Sequence, residues 1–241
     1  MRVFVMDDYE AMSLKAAELM AAQILLKPDS VIGFATGSTP IGLYKHLVEK
    51  YKAGELDFSK IKSVNLDEYM GMSKENDQSY RYYMNNNLFN HVNIDLANTY
   101  VPDGLAEDGD AECARYDELI RNLGGIDMQL LGIGNNGHIG FNEPAEHFPI
   151  CSHCVDLTES TIQANTRFFE DPCQVPRQAL TMGIGQIMQA QRVIVIASGS
   201  VKAEIVRKAF WGPVTPEVPA SILQMHPDFT LIIDREATAF R

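Results

Sequence analysis

The chain alternates between two patterns of hydrophobic positions. Short apolar runs, typical of buried strands, alternate with longer stretches whose apolar residues recur at every third or fourth position, as on one face of a helix. The predicted strands cover residues 3–6, 31–35, 61–66, 98–101, 126–133, 193–197 and 229–233. The predicted helices cover residues 9–26, 40–53, 79–89, 110–123, 159–167, 178–190 and 201–210. This alternation predicts an α/β fold.

The stretch 126–144 combines a predicted strand with several polar side chains. Its apolar run IDMQLLGI stops in the glycine-rich sequence GNNGHIGFNEP. Glycine permits a positive φ or a close approach of the backbone to a ligand, so the loop should be tight. Open α/β sheets place their sites at such strand ends. We therefore interpret the loop as a functional site that holds His138 and Glu143, and a structural turn with a satisfied histidine is the open alternative.

The same loop contains the GxGxxG spacing of dinucleotide-binding proteins, at Gly132, Gly134 and Gly137. That motif requires a helix to begin at its third glycine. Here Gly140 and Pro144 break any helical period directly after Gly137. The sequence therefore disfavours a dinucleotide site, and no cofactor is predicted.

A hydroxyl-rich turn, Thr36-Gly37-Ser38-Thr39, follows the second predicted strand, and Pro40 follows the turn. Thr39 should cap the next helix, with Pro40 in the first turn of that helix. Backbone N–H groups, three hydroxyls and the positive end of a helix dipole would then meet at one point, as in a phosphate site. The turn lacks the lysine of a nucleotide-triphosphate loop. An ordinary helix cap is the alternative.

Two further segments carry candidate chemistry. Asp67 and Glu68 end the third predicted strand and are acid–base candidates, but neighbouring side chains on an extended chain point to opposite faces, so only one can face a given pocket. Lys202 lies in the first turn of a predicted helix, where a cation is unfavourable unless an anion is bound. Lys202 is therefore a candidate for binding an anionic ligand. The alternative is an exposed, solvated lysine.

Composition limits the classes of partner. The chain has 241 residues and a formal net charge of -12, which argues against a nucleic-acid or anionic-membrane surface. No signal-peptide core opens the chain, and no apolar run approaches the ~20 residues needed to span a bilayer. We expect one domain over residues 1–241 in the cytoplasm. The sequence leaves open whether it is a monomer or a homo-oligomer.

The four cysteines, Cys113, Cys151, Cys154 and Cys173, are too few for a disulfide framework in a chain of this size. Cys151 and Cys154 form a lone CxxC pair, for which a zinc or redox role is the alternative to reduced thiols. No second pair follows at ligand spacing, so no metal is predicted.

Five segments together resemble glucosamine-6-phosphate deaminases, in the same order and over nearly the whole chain: TGSTP at 36–40, NLDEY at 65–69, GNNGHIGFNEP at 134–144, NTRFF at 165–169 and GSVK at 199–202. The resemblance implies a Rossmann-like, mostly parallel sheet sandwiched by helices. It also implies conversion of D-glucosamine 6-phosphate and water to D-fructose 6-phosphate and ammonia. The segment 157–176 lacks long apolar runs yet carries Arg167, which predicts a lid.

The resemblance also implies residue roles. Asp67 would move a proton from C2 to C1 of the opened sugar, and His138 would help to open the ring with Glu143 as its partner. The groups that would hold the 6-phosphate are Gly37, Ser38, Thr39, Arg167 and Lys202. Many members carry Asp where this chain has Asn136. An amide cannot titrate, so Asn136 can only orient the histidine or the sugar through hydrogen bonds.

Two competing functions and one regulatory expectation follow. A 6-phosphogluconolactonase would need the histidine motif but no C2 base, so Asp67 favours the deaminase. A non-catalytic sugar-phosphate sensor would carry an added DNA-binding motif, for which this acidic chain has no residues left over. Allosteric members bind an effector phosphate with a serine and two basic residues, and the matching positions here are Glu146, His153 and Val155.

Overall fold

The computed structural model describes residues 1–158, 162, 166 and 175–238. The strands in this part of the chain are β1 (Arg2–Met6), β2 (Val31–Phe34), β3 (Lys62–Asn65), β4 (Asp67–Tyr69), β5 (Thr99–Tyr100), β6 (Met128–Leu131), β7 (His153–Asp156), β8 (Gln178–Thr181), β9 (Val193–Ala197) and β10 (Phe229–Asp234). The α-helices are α1 (Tyr9–Leu26), α2 (Ile41–Lys52), α3 (Tyr80–Asn87), α4 (Gly109–Asn122), α5 (Ile184–Gln189) and α6 (Ala203–Trp211).

Seven of the described strands form one parallel sheet in the order β1-β10-β9-β6-β2-β3-β5. The inner strands are buried because helices cover the sheet, and the central ones carry almost uninterrupted apolar side chains. This architecture confirms the predicted α/β fold. From β2 the chain continues to β3 on one side, whereas β6 and then β9 lie on the other side. The loops after β2 and β6 therefore diverge, and such a switch point opens a crevice at the carboxyl edge of the sheet.

A second, antiparallel sheet of the order β4-β8-β7 leaves the main sheet at Leu66. The Leu66 carbonyl accepts the Met182 N–H at 2.7 Å, so the link between β3 and β4 is fixed to the residue after β8. A small apolar cluster covers this sheet, and its buried members are Tyr69, Met72, Phe141, Leu157 and Ala179. The small sheet thus extends the carboxyl edge of the large one.

The prediction of a helix over residues 178–190 was wrong in its first part. Residues 178–181 form β8, and the helix begins only at Ile184, after an extended Gly183. β8 pairs with β4 on one side and with β7 on the other, so tertiary pairing overrides the local pattern. β7 itself lies in a segment for which no strand was predicted.

The predicted lid lies mostly outside the described residues. Within it, Ile162 and Thr166 are both helical, and Ile162 packs against the small apolar cluster. No helix in the described part of the chain is both long enough and apolar enough to cross a bilayer.

Candidate active site

The carboxyl ends of four neighbouring strands bring the predicted site residues together. In sheet order β9, β6, β2 and β3, these strands lead into Lys202, the loop 134–144, the turn 36–40 and Asp67. Parallel strands all end at the same edge, so segments that are far apart in sequence become neighbours there. Arg167 was predicted as a further member, but it lies outside the described residues.

The His138 loop folds tightly around its glycines. The Gly134 N–H donates to the His138 carbonyl at 2.9 Å, and the Gly137 N–H donates to the Gly134 carbonyl at 3.0 Å. A β-carbon placed on Gly134 would lie 2.3 Å from His138 Cε1 and Nε2, so the imidazole rests directly on this glycine. No helix begins at Gly137, and an antiparallel bridge between Ile139 and Asn142 follows it instead. This geometry rules out the dinucleotide interpretation.

Glu143 and Asn136 hold the histidine from two sides. His138 Nδ1 lies 3.4 Å from Glu143 Oε1, within ion-pair range. The Asn136 amide donates to Glu143 Oε2, and its Oδ1 accepts the His138 backbone N–H at 3.1 Å. These two contacts fix which end of the amide faces the carboxylate. The Asn136 amide can therefore orient the carboxylate and the histidine loop without exchanging a proton.

Asp67 is buried beside the same loop, with 6% of its surface exposed. A β-carbon on Gly140, where φ is +58°, would lie 3.7 Å from Asp67 Oδ2 and 2.9 Å from Thr181 Oγ1. Burial raises the pKa of Asp67 to about 8, and repulsion from Glu68 adds to the increase. Once ionised, a carboxylate with such a pKa is a stronger base than an ordinary carboxylate.

Glu68 points away from Asp67 and toward the start of α3. Its carboxylate accepts the N–H groups of Tyr69 at 2.9 Å and of Tyr80 and Arg81 at 3.0 Å. Burial raises the pKa of Glu68 to about 7, although these N–H groups act in the opposite direction. The geometry confirms that only one of the two adjacent carboxylates faces the crevice.

Two tyrosines hold the turn 36–40 through its carbonyl groups. The Tyr83 hydroxyl donates to the Gly37 carbonyl at 2.6 Å, and the Tyr9 hydroxyl donates to the Thr39 carbonyl at 3.0 Å. The prediction that Thr39 caps the next helix was wrong. Pro40 is the N-cap of α2 and makes no side-chain cap bond, while the Tyr9 oxygen accepts the Gly42 N–H at 2.9 Å. An aromatic side chain from α1 thus takes the capping role, which local sequence patterns do not reveal.

Lys202 bridges β9 and β6 at the carboxyl edge. Its ammonium group donates to the Ile133 carbonyl and to Asn135 Oδ1, both at 2.7 Å. Lys202 is also the N-cap of α6, at the end of a 3₁₀ turn that was predicted as part of the helix. Buried Asp234 holds the start of this turn, because it accepts the Ser198 hydroxyl and the Gly199 N–H.

Sequence reasoning missed three residues that shape the site: Thr181, Tyr83 and Asp234. Thr181 was assigned to a helix, Tyr83 falls within the predicted helix over residues 79–89 with no motif around it, and Asp234 falls at the end of the last strand, also with no motif. A strand terminus next to a predicted site strand is the signal that could have identified Asp234.

The cysteine pair lies at the start of β7. Cys151 is exposed, Cys154 is part of β7, and both are free thiols, as is buried Cys113. Cys173 lies outside the described residues. Among the residues that are described, no three His, Cys, Asp or Glu side chains are grouped to hold a metal ion.

The fold and the carboxyl edge together define a Rossmann-like α/β enzyme of small-molecule metabolism. Residues 7–232 match the family described as glucosamine-6-phosphate isomerases/6-phosphogluconolactonase, and the chain belongs to this family.

Individual relatives support this assignment. A glucosamine-6-phosphate deaminase of Lachnoclostridium phytofermentans is 60% identical over 232 residues, which cover 96% of this chain and 98% of the relative. The solved structure of a monomeric glucosamine-6-phosphate deaminase matches with a TM-score of 0.97 at 46% identity and covers 100% of both chains. A 6-phosphogluconolactonase from Leishmania guyanensis shares the fold, with a TM-score of 0.75 at 22% identity over 99% of this chain and 97% of that one.

Proposed function

We propose that this protein converts D-glucosamine 6-phosphate and water to D-fructose 6-phosphate and ammonia. Relatives named glucosamine-6-phosphate deaminase cover nearly the whole chain at 53% to 60% identity. The observation that carries the proposal is the position of Asp67, a buried carboxylate beside the loop of His138. Aldose–ketose isomerisation requires a base near the carbon chain, whereas lactone hydrolysis does not.

Ring opening is the first step of the proposed reaction. His138 donates a proton to the ring oxygen and accepts one from the C1 hydroxyl, which leaves an aldehyde at C1. Glu143 Oε1 lies 3.4 Å from His138 Nδ1, close enough to orient the imidazole for this proton exchange. Asn136 acts as a positioning residue, because its amide binds Glu143 and the His138 backbone together.

Proton transfer and hydrolysis follow. Asp67 takes the proton from C2 while the C1 oxygen takes a proton from His138, which gives an enolamine. Asp67 then returns its proton to C1, and the nitrogen passes a proton back to His138, which leaves an imine at C2. Water adds to this imine and expels ammonia, so one water is consumed for each ammonia released. The high pKa of Asp67, about 8, suits a group that must both accept and return a proton.

The phosphate end of the substrate has its own set of donors. Gly37, Ser38 and Thr39 offer N–H and hydroxyl groups beside the start of α2, and Lys202 supplies a cation from the far side of the crevice. Charge-assisted bonds of this kind are stronger than neutral ones. We also assign Arg167 to the phosphate, and this assignment rests on the sequence resemblance.

The wider setting of the protein forms part of the proposal. We propose that residues 1–241 form one sugar-phosphate domain that works in the cytoplasm, with a small sugar phosphate as its partner and with no nucleic acid or membrane. The segment 157–176 closes over the substrate as a lid.

A two-substrate assay tests the proposed function. The purified protein should release ammonia from glucosamine 6-phosphate and leave 6-phosphogluconolactone at its spontaneous rate of hydrolysis. Asp67→Asn should lose ammonia release, whereas Asp95→Asn, a change at the N-cap of a 3₁₀ turn away from the carboxyl edge, should retain it. Catalysed lactone opening without ammonia release would assign the protein to the other branch of the family.

A further inference from the structure

Glu68 is a buried carboxylate that the proposed reaction does not use. Only 2% of its surface is exposed, and both of its oxygens accept backbone N–H groups. Two of the three donors, Tyr80 and Arg81, are the first residues of α3, where the helix leaves N–H groups without intrahelical partners. Ser79 accepts the Tyr82 N–H at 3.0 Å and completes the cap. Glu68 thus ties β4 to the start of α3.

The same helix reaches the phosphate-binding turn. One turn beyond Tyr80, the Tyr83 hydroxyl donates to the Gly37 carbonyl at 2.6 Å. Asp67 precedes Glu68 directly in β4. Helix α3 is therefore a rigid link between the strand of the proposed base and the turn of the proposed phosphate site.

Among the described residues, the groups that act on the Glu68 carboxylate are the backbone N–H groups of Tyr69, Tyr80 and Arg81, and not cations. Glu68 acts on Asp67 from the same strand and raises its pKa by repulsion. The tyrosines around Asp67 respond to it instead, because Asp67 contributes to the raised pKa of Tyr69 in β4, Tyr80 in α3 and Tyr116 in α4. The Arg81 guanidinium is directed elsewhere, because it donates to the Thr99 carbonyl at 2.8 Å and lies over the Phe89 ring. Two neighbouring carboxylates in a dry site disfavour each other's ionisation even when their side chains point in different directions.

We infer that Glu68 is a positioning residue for the reaction, which holds Asp67 at a fixed distance from the phosphate-binding turn through α3 and by its charge makes Asp67 a stronger base. The inference rests on the proposed function, in which Asp67 is the proton-transfer group. It assigns Glu68 a role in kcat and in the pH profile rather than in contact with the substrate.

The pH profile of kcat/KM for ammonia release from glucosamine 6-phosphate tests the inference. Glu68→Gln removes the charge and keeps the shape, so the acid limb should move to lower pH by roughly one unit. The rate on the plateau should fall several-fold, because a weaker base removes the C2 proton more slowly. A merely structural role for Glu68 would lower the amount of folded enzyme and leave the limb in place.

Two companion variants sharpen the test. Glu112→Gln is the matched control, because Glu112 is also buried, with 6% exposed, but pairs with Arg115 on α4. Glu112→Gln should leave the limb where it is. Glu68→Asp keeps the charge and shortens the reach, so its limb should stay in place while kcat falls. If Glu68→Gln does not fold, the position of the acid limb in Glu68→Asp decides whether the inference stands. An acid limb that moves in Glu68→Asp overturns the inference.

Failure of the inference and failure of the proposed function are distinguishable. A wild-type protein that releases no ammonia refutes the proposed function. An active wild type whose limb is unchanged in folded Glu68→Gln refutes the role of Glu68 alone.

Discussion

Thr181 and Asp67 face each other across the β4–β8 pair, and the Thr181 hydroxyl also accepts the Phe141 N–H at 3.0 Å. One side chain thus joins the strand of the proposed base to the histidine loop. These two segments lie far apart in sequence, so the antiparallel sheet sets their relative position.

Replacing the Thr181 hydroxyl should weaken the connection between β8 and the histidine loop. Thr181→Val keeps the shape but leaves the buried Phe141 N–H without its acceptor, which typically costs about 1–3 kcal/mol. We expect lower thermal stability and a kcat several-fold below that of the wild type, with KM little changed. Thr230→Val, a similar change in β10 away from the site, is the control. A normal kcat in Thr181→Val would show that the hydrogen bond between Thr181 and Phe141 does not affect catalysis.

Asp67→Asn should abolish turnover and leave substrate binding nearly intact. Loss of a general base costs ~10²–10⁴-fold in rate. The wild-type kcat/KM should rise with pH up to the pKa of Asp67, about 8, because only the ionised carboxylate accepts a proton. Steady-state kinetics from pH 5 to 10 would measure this limb, and near-wild-type turnover in the variant would refute the role of Asp67.

The same pKa predicts an effect on stability. The pKa of Asp67 in the folded protein, about 8, lies above its ordinary value of ~3.9, so folding favours the protonated form. The contribution of Asp67 to stability is therefore fully present below pH ~4 and is lost as the pH rises toward 8. Asp67→Asn should gain stability over the wild type across this interval. Thermal unfolding at several pH values would measure the difference, and a constant difference would contradict the raised pKa.

Lys202→Ala should mainly raise KM, because the phosphate is bound in both the ground state and the transition state. A charge-assisted contact contributes roughly 1.5–3 kcal/mol. Inhibition by inorganic phosphate should weaken in parallel. Lys208→Ala, an exposed change in α6 that removes an ion pair with Glu204, should alter neither constant. An unchanged KM in Lys202→Ala would show that the ammonium group does not meet the phosphate.

Regulation provides a fourth site for testing. Glu146 is exposed. The sequence resemblance matches it to the serine with which allosteric members bind the effector phosphate. Carboxylate and phosphate repel, and allostery requires a second site with different affinities in two states. We expect hyperbolic kinetics and no activation by N-acetylglucosamine 6-phosphate. A sigmoidal rate curve that this compound converts to a hyperbola would overturn the expectation.

Local patterns predicted the parallel sheet and most of its helices, because buried strands such as β9 carry unbroken apolar runs. They failed where tertiary contacts decide. The sequence QALT at 178–181 suits a helix or a strand, and only its pairing with β4 and β7 makes it a strand. The opposed directions of Asp67 and Glu68 followed from strand geometry alone. The partners of Glu68 did not, because the N–H groups of α3 come from residues twelve or more positions further along the chain.

At Gly134, the rule that glycine permits a close approach to the backbone was sufficient to predict part of the site. The proximity of Gly134 to the His138 ring is compatible with glycine and with no residue that carries a side chain. The loop sequence predicted such a close approach, but the group that approaches Gly134 proved to be the catalytic candidate itself rather than a ligand.

The pairing of β1 with β10 has a consequence for how the protein is made. Val3 partners Leu231 and Phe4 partners Ile232, so the first strand is attached to the sheet by the last. Ribosomes add about 5–20 residues per second, so β1 waits roughly 10–45 s for its neighbour. During that interval the nascent chain carries an unpaired strand, which is a template for association with other chains. Translation that stops before residue 229 would leave β1 in this state permanently, and such fragments would require chaperones or proteolysis.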